Sequence, residues 1–351
     1  MSIHILYEFR DGPWGGGNQF LKALRTQFRN EGIYAESPEE ADAILFNSHH
    51  FGPGNTYLDA LLRLRRHNPD LVLVQRIDGP IQAVRGTDRQ IDNVIYRANA
   101  LLADGTIFQT EWSRKENVRR GLISRHHAET VINNAPDSGI FHPSKESSGR
   151  SKTRLIATSW AANSRKGFGY YDFLDRKLDW SRFEMRFVGN TPQAFKNIVH
   201  IPPQDSAALS KLLRDSDIFI TGSSNDPCSN SLLEALHSGL PAVALKSGGH
   251  PELVGDGGVL FEGEADLIDA IETVAAQRKD HRKRISVRSL CDIAGDYAHF
   301  IHNCPRDVRP PGENIGLSIA KAELKMRMRW ASLSSRISSR LGRFRQVSNE
   351  A

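Results

Sequence analysis

The chain has 351 residues, 39% of them hydrophobic and 25% charged, with a formal net charge of +5. That length calls for two domains of ordinary size rather than one core. No apolar run approaches the roughly twenty residues of a spanning helix, and MSIHILYEF lacks a leader's basic flank and cleavage site, so neither spanning nor secretion is expected.

Three cysteines, Cys228, Cys291 and Cys304, are odd in number and not in metal-ligand spacing, which fits a reducing compartment without structural disulfides. The charge is unevenly placed. Pro305 to Ala351 holds ten Lys or Arg against four Asp or Glu, a balance of +6, so the remaining body sums to −1. A near-neutral body argues against nucleic acid as a partner.

Taken in chain order, short apolar runs alternate with helical periodicity, the signature of parallel sheets covered by helices. Strands are predicted at residues 3–9, 43–48, 71–78, 106–110 and 129–134, with helices at 18–31, 56–67, 90–103 and 112–121. A Pro, Gly and Ser-rich stretch near 136–152 reads as a linker. Strands resume at 154–160, 185–190, 198–203, 217–223, 242–247 and 258–261, with helices at 206–214, 229–238 and 265–277. One more helix over 283–302 can return to the first domain, before a basic tail from 305. The expected fold class is α/β: two Rossmann-like, doubly wound domains, 1–140 and 150–302, facing across a cleft, plus a basic amphipathic C-terminal helix. A ligand belongs at the carboxyl ends of the strands, between the domains.

The stretch SSNDPCSNSLLEALHSGLPAVA, Ser223 to Ala244, carries the chemistry. DIFITGS reads as a strand and SNSLLEALHSG as a helix, with Leu232, Leu233 and Leu236 on its buried face and GLP as its stop. Asp226 falls in the turn, and Glu234 lies one turn into the helix on the face of Asn230. Between them, the free N–H groups of the helix start, at Ser229, Asn230 and Ser231, can hold an anion. An acid, an anion hole and a second acid suit a ligand with hydroxyls on both sides of a diphosphate. A nucleotide-sugar has that form.

DPCSNSLLEALHSGLPAV resembles the E-x7-E region of the retaining glycosyltransferases of family 4, which have the GT-B fold. The resemblance implies that Glu234 binds the ribose hydroxyls and Asp226 contacts the donor sugar. SRKGF resembles the family's Lys-Gly site, where Lys166 neutralises the diphosphate. The usual Arg five residues earlier is Ala161 here, with Arg165 a possible substitute. In GPWGGGNQF, Gly16 and Gly17 open a helix and let backbone approach the donor. GGHPELV resembles the loop that would bring Gly248, Gly249 and Glu252 to the cleft. VINNAPDSGIFHP resembles the segment closing the first domain and places Asn134 at a strand end. In VQRIDGP, Arg76 can pair with a phosphate and Asp78 can orient an acceptor hydroxyl, so both join Asp226 and Lys166 as catalytic candidates. His49 and His50 are further acceptor-side candidates.

No metal site is expected. Asp215 and Asp217 precede their strand, at the wrong end for the cleft, and His126 and His127 lack partners at metal spacing. No cofactor is expected beyond the nucleotide-sugar co-substrate. In the tail, Met326, Trp330, Leu333, Ile337, Leu341 and Phe344 recur at helical steps, with Lys and Arg on other faces. Residues 319–345 are therefore expected to touch an anionic membrane surface from the cytoplasmic side.

The resemblance implies a retaining, metal-independent transfer from an NDP-sugar to a glycan or lipid-linked glycan. Two alternatives share these residues. One is a non-catalytic nucleotide-sugar-binding or scaffolding protein, and the other is a sugar-nucleotide epimerase or hydrolase of the same fold.

Overall fold

The computed structural model describes residues 1–12, 14–47, 56–122, 128–143 and 151–306, and residues 322, 325–327, 329, 330 and 333 of the tail. Two parallel sheets are present. The first contains β1 (Ile3–Leu6), β2 (Ala43–Asn47), β3 (Val72–Ile77), β4 (Gly105–Phe108) and β5 (Ala128–Val131), hydrogen-bonded in that order. A single parallel bridge between Ile3 and Tyr34 extends it beyond β1. The second contains β6 (Thr153–Ser159), β7 (Phe183–Gly189), β8 (Val199–Ile201), β9 (Ile218–Thr221), β10 (Ala242–Leu245) and β11 (Gly258–Phe261), in the order β11-β10-β9-β6-β7-β8.

Helices cover both faces, so the central strands are buried throughout: every residue of β3, β4, β9 and β10 is buried. That is why they read as continuous apolar runs rather than alternating ones. In the second sheet the strand order reverses between β6 and β9, which are hydrogen-bonded neighbours. Ligands of open α/β sheets bind outside the strand ends at such a reversal.

The chain crosses back after the second sheet. Leu290, Ile293, Ala294, Tyr297 and Ile301 of the helix Leu290–His302 are buried in the same core as Ile3, Phe20, Leu24 and Val74 of the first domain. The expected single helix over 283–302 is two, Arg278–Arg284 and Leu290–His302. The second starts at its own Ser289–Asp292 capping box, which ends the intervening stretch.

Among the described residues, three α-helices lie outside the expected set: Ile81–Arg85, His250–Val254, and Phe168–Lys177 between β6 and β7. The last, FGYYDFLDRK, is rich in aromatics with little intrinsic preference for helix. It is helical because Phe168, Tyr171 and Leu174 are buried in the second core. Among the described residues, no helix is long and apolar enough to cross a membrane.

Candidate active site

The loops after β6 and β9 meet at the reversal point. The first, after Ser159, ends in a 3-10 turn Ser164–Lys166 whose N-cap Asn163 accepts from the Arg165 N–H. The second is the turn Ser223–Ser229. Lys166 Nζ donates to Asp226 Oδ2 at 3.0 Å, with the two side chains 26% and 15% exposed. Burial opposes charge on Asp226, but the Lys166 ammonium, the adjacent His250 and the Cys228 N–H together hold its carboxyl below the usual range.

The helix Asn230–His237 begins at Ser229, whose hydroxyl accepts from the Leu232 N–H and lies 3.1 Å from Ser231 Oγ. Its first turn carries no acidic residue, so its N-terminal field is not locally compensated. Glu234 lines the cleft one turn in. Among the described residues its carboxylate has no hydrogen-bond partner, and burial alone pushes it up to about 8 from 4.5. A carboxyl that is part-buried and unpaired loses hydration without compensation, and hydroxyl donors from a ligand would restore it.

The first domain closes the other wall of a cavity of about 370 Å³. Gly15, Gly16 and Gly17 line it at the start of the helix Gly16–Asn30, which also lacks an acid in its first turn. A Cβ on Gly16 would stand 2.4 Å from Asn230 side-chain atoms, so glycine lets the two helix starts converge. Asn134 Nδ2 donates to Asn230 Oδ1 at 3.1 Å and joins the domains beside that point. Ser229, Asn230, Ser231, Lys166, Asp226, Arg76 and Asp78 all line the same cavity as Glu234.

Four expected site residues are placed differently. Glu252 is not among the cavity-lining residues. Its carboxylate accepts from the N–H groups of Glu111 (2.8 Å) and Trp112 (2.7 Å), capping the helix Glu111–Arg119 of the first domain. Gly248 supports the acidic turn from behind: its φ is +64°, and a Cβ there would be 2.3 Å from the Asp226 carbonyl oxygen. Gly249 donates its N–H to that same oxygen at 2.8 Å. Arg165 lies outside the lining, with its guanidinium 3.2 Å from where a Cβ of Gly86 would be. His49 and His50 fall outside the described residues.

Arg76 lines the cavity but is itself fully buried. It donates to Tyr297 Oη (3.2 Å), Asn47 Oδ1 (3.2 Å), Asp78 Oδ1 (2.7 Å) and Asn134 Oδ1 (2.7 Å), and stands over the Phe20 ring. Its fork is thus committed to the first domain and the returning helix. Asp78 also accepts from Gln109, while its carbonyl takes Ser113 Oγ and Asn117 Nδ2. Asp215 is held by Arg154 and Arg186, and Asp217 by Arg278 and the Arg154 N–H. Among the described residues, no group of three or more His, Cys, Asp or Glu side chains could hold a metal ion.

Residues 194–289 match the family model of the glycosyl transferases group 1. No curated protein sequence matches the chain. By structure, it is similar to Anabaena Alr3699/HepE in complex with UDP-glucose, at 15% identity and a TM-score of 0.63, covering 86% of this chain and 99% of that one. It is also similar to the sucrose-phosphate synthase of Thermosynechococcus elongatus, at 14% identity and a TM-score of 0.65, covering 86% and 98%. The lipopolysaccharide outer core galactosyltransferase WaaB shares 12% identity at a TM-score of 0.57, covering 85% and 99%.

The fold is GT-B.

Among the residues lining this GT-B cleft that the sequence did not single out are Trp14 and Trp160, one from each domain. Their rings are 5.8 Å apart, and the side chains are 42% and 41% exposed. Each follows a strand end and precedes a glycine or small-residue turn. Read separately they are ordinary loop aromatics; only the facing of the two domains pairs them.

Proposed function

We propose that the chain is a retaining glycosyltransferase of family 4, using an NDP-sugar and a glycan or lipid-linked glycan acceptor without a metal ion. One observation carries this. At the reversal point of the second sheet, an unpaired Glu234, two uncompensated helix starts and the Lys166–Asp226 pair face a single cavity.

In this reading the ribose hydroxyls donate to Glu234. The diphosphate sits between the helix starts at Gly16 and Asn230, and Lys166 turns from Asp226 to the leaving phosphate. Asp226 then accepts from a donor-sugar hydroxyl. The acceptor oxygen attacks the anomeric carbon from the face that the diphosphate leaves. The carbon–phosphate-oxygen bond breaks, the new glycosidic bond forms, and the acceptor proton passes to the departing diphosphate. Stabilising that developing charge is the main catalytic task.

Thermal shifts with UDP, GDP, ADP, CMP and dTDP test the reading. A ligand at about 100 times its dissociation constant adds about 2.7 kcal/mol, a shift of several degrees. One nucleotide should shift the wild type and fail to shift Glu234→Ala. No shift with any of them would contradict the donor site.

We also propose that the tail rests on an anionic membrane from the cytoplasmic side. Lys325 pairs with Asp59 at 2.9 Å, while Met326, Trp330 and Leu333 are exposed. Deleting residues 319–351 should abolish sedimentation with anionic liposomes, and unchanged sedimentation would overturn this part.

A further inference from the structure

The Trp14–Trp160 pair is not used by the donor contacts above, and two indoles more than two-fifths exposed call for a reason. Their positions differ in what holds them. Trp160 directly follows β6, and its carbonyl oxygen accepts from Asn190 Nδ2 at 2.6 Å, just beyond the end of β7. Its backbone is therefore tied to the loop after β7. Trp14 comes from the first domain's glycine loop, with the Arg10 guanidinium over its ring at 4.6 Å. A Cβ on Gly15 would lie 3.6 Å from Trp160 Cδ1, so the glycine loop also passes directly under the second indole.

The cavity is chemically graded. Lys166, Asp226, Glu234, Arg76, Asp78 and Arg85 supply its charged side chains, from the acidic turn and the helix after it and from the first-domain wall. The segments ending β7 and following β8 contribute Val188, Gly189, Pro203, Gln204 and Leu209, none of them charged. A nucleotide laid along this gradient puts its sugar and diphosphate at the charged end, its ribose at Glu234 and its base against the uncharged wall. Asn190, which follows Gly189 of that wall, holds the Trp160 backbone beside it.

We propose that Trp160, braced by Trp14 across the domain gap, is the stacking face for the planar base of the nucleotide donor. This rests on the nucleotide-sugar reading of the cleft. Stacking is tolerant of base identity because every base has a π-face. Discrimination among bases then falls to the polar groups of Gln204 and the neighbouring backbone. The pair also spans both domains, so base stacking and cleft closure reinforce one another.

Calorimetric titration of the full chain with UDP, GDP, ADP, CMP and dTDP, and with pyrophosphate as a base-free control, tests this. For the nucleotide that wild type binds, Trp160→Ala should lose roughly tenfold or more in affinity, the scale of one aromatic–base stack. Trp160→Phe, which keeps a ring, should lose less, and pyrophosphate should bind wild type and Trp160→Ala equally. Unchanged nucleotide affinity in Trp160→Ala, with loss in Glu234→Ala, would overturn the stacking role and leave the donor reading standing. So would an equal loss for pyrophosphate, which would mark general disturbance of the loop. If wild type binds none of the five, the donor reading and the stacking role fall together.

Discussion

The two walls of the cleft are both polar, yet they spend their polar groups differently. On the first-domain wall, Arg76 is buried and bonded to four partners, and Asp78 is bonded to Arg76 and Gln109. On the second-domain wall, Glu234 has no partner among the described residues, and Asp226 has the part-exposed pair with Lys166 and the Cys228 N–H. Arg76, with four partners, fixes geometry, while the unpaired Glu234 in the cavity awaits a ligand. The comparison moves Arg76 from the reacting centre to the frame that carries it.

The largest expected effect is therefore on stability, from the first wall. Arg76→Met leaves the buried Asn134 and Tyr297 oxygens without their donor and the part-exposed Asp78 without its cation, and each unsatisfied buried group costs about 1–3 kcal/mol. Melting should fall by roughly 10 °C, measured by calorimetry on the empty protein. A variant that melts like wild type but no longer transfers sugar would return Arg76 to the chemistry and erase the contrast.

A smaller effect sharpens the boundary of the donor site. Glu252→Ala removes a charged cap shared by two backbone N–H groups of the first domain, which should cost about 1 kcal/mol in denaturant unfolding. Its nucleotide affinity should stay within about twofold of wild type, since 1.4 kcal/mol would be needed for tenfold. A tenfold loss would put Glu252 back among the donor contacts.

The same contrast explains what was legible in the sequence. Asp226, the helix start and Glu234 lie on one strand–turn–helix unit, where local spacing fixes relative position. Continuous apolar runs marked the strands for a similar reason, since parallel sheets bury both faces. What failed was long-range. Arg76 and Tyr297 are 221 residues apart, and Glu252 and the helix it caps about 140. No local pattern records such partners. The helix Phe168–Lys177 was hidden because burial of its aromatics, not propensity, makes it helical. The paired tryptophans were hidden because neither loop carries a sign of the other.

The most direct test of the central claim is the proton balance of nucleotide binding. In the empty cleft, burial holds Glu234 up at about 8, so much of it is protonated near neutral pH. Ribose hydroxyls donating to the carboxylate favour its charged form and lower that value. Titration of the bound nucleotide in buffers of different ionisation enthalpy, at pH 6 and pH 8, reads the difference. The account predicts proton release on binding, greatest below pH 8, with affinity rising from pH 6 to pH 8, and both absent in Glu234→Gln. Tight binding with no proton release and no change in Glu234→Gln would contradict it.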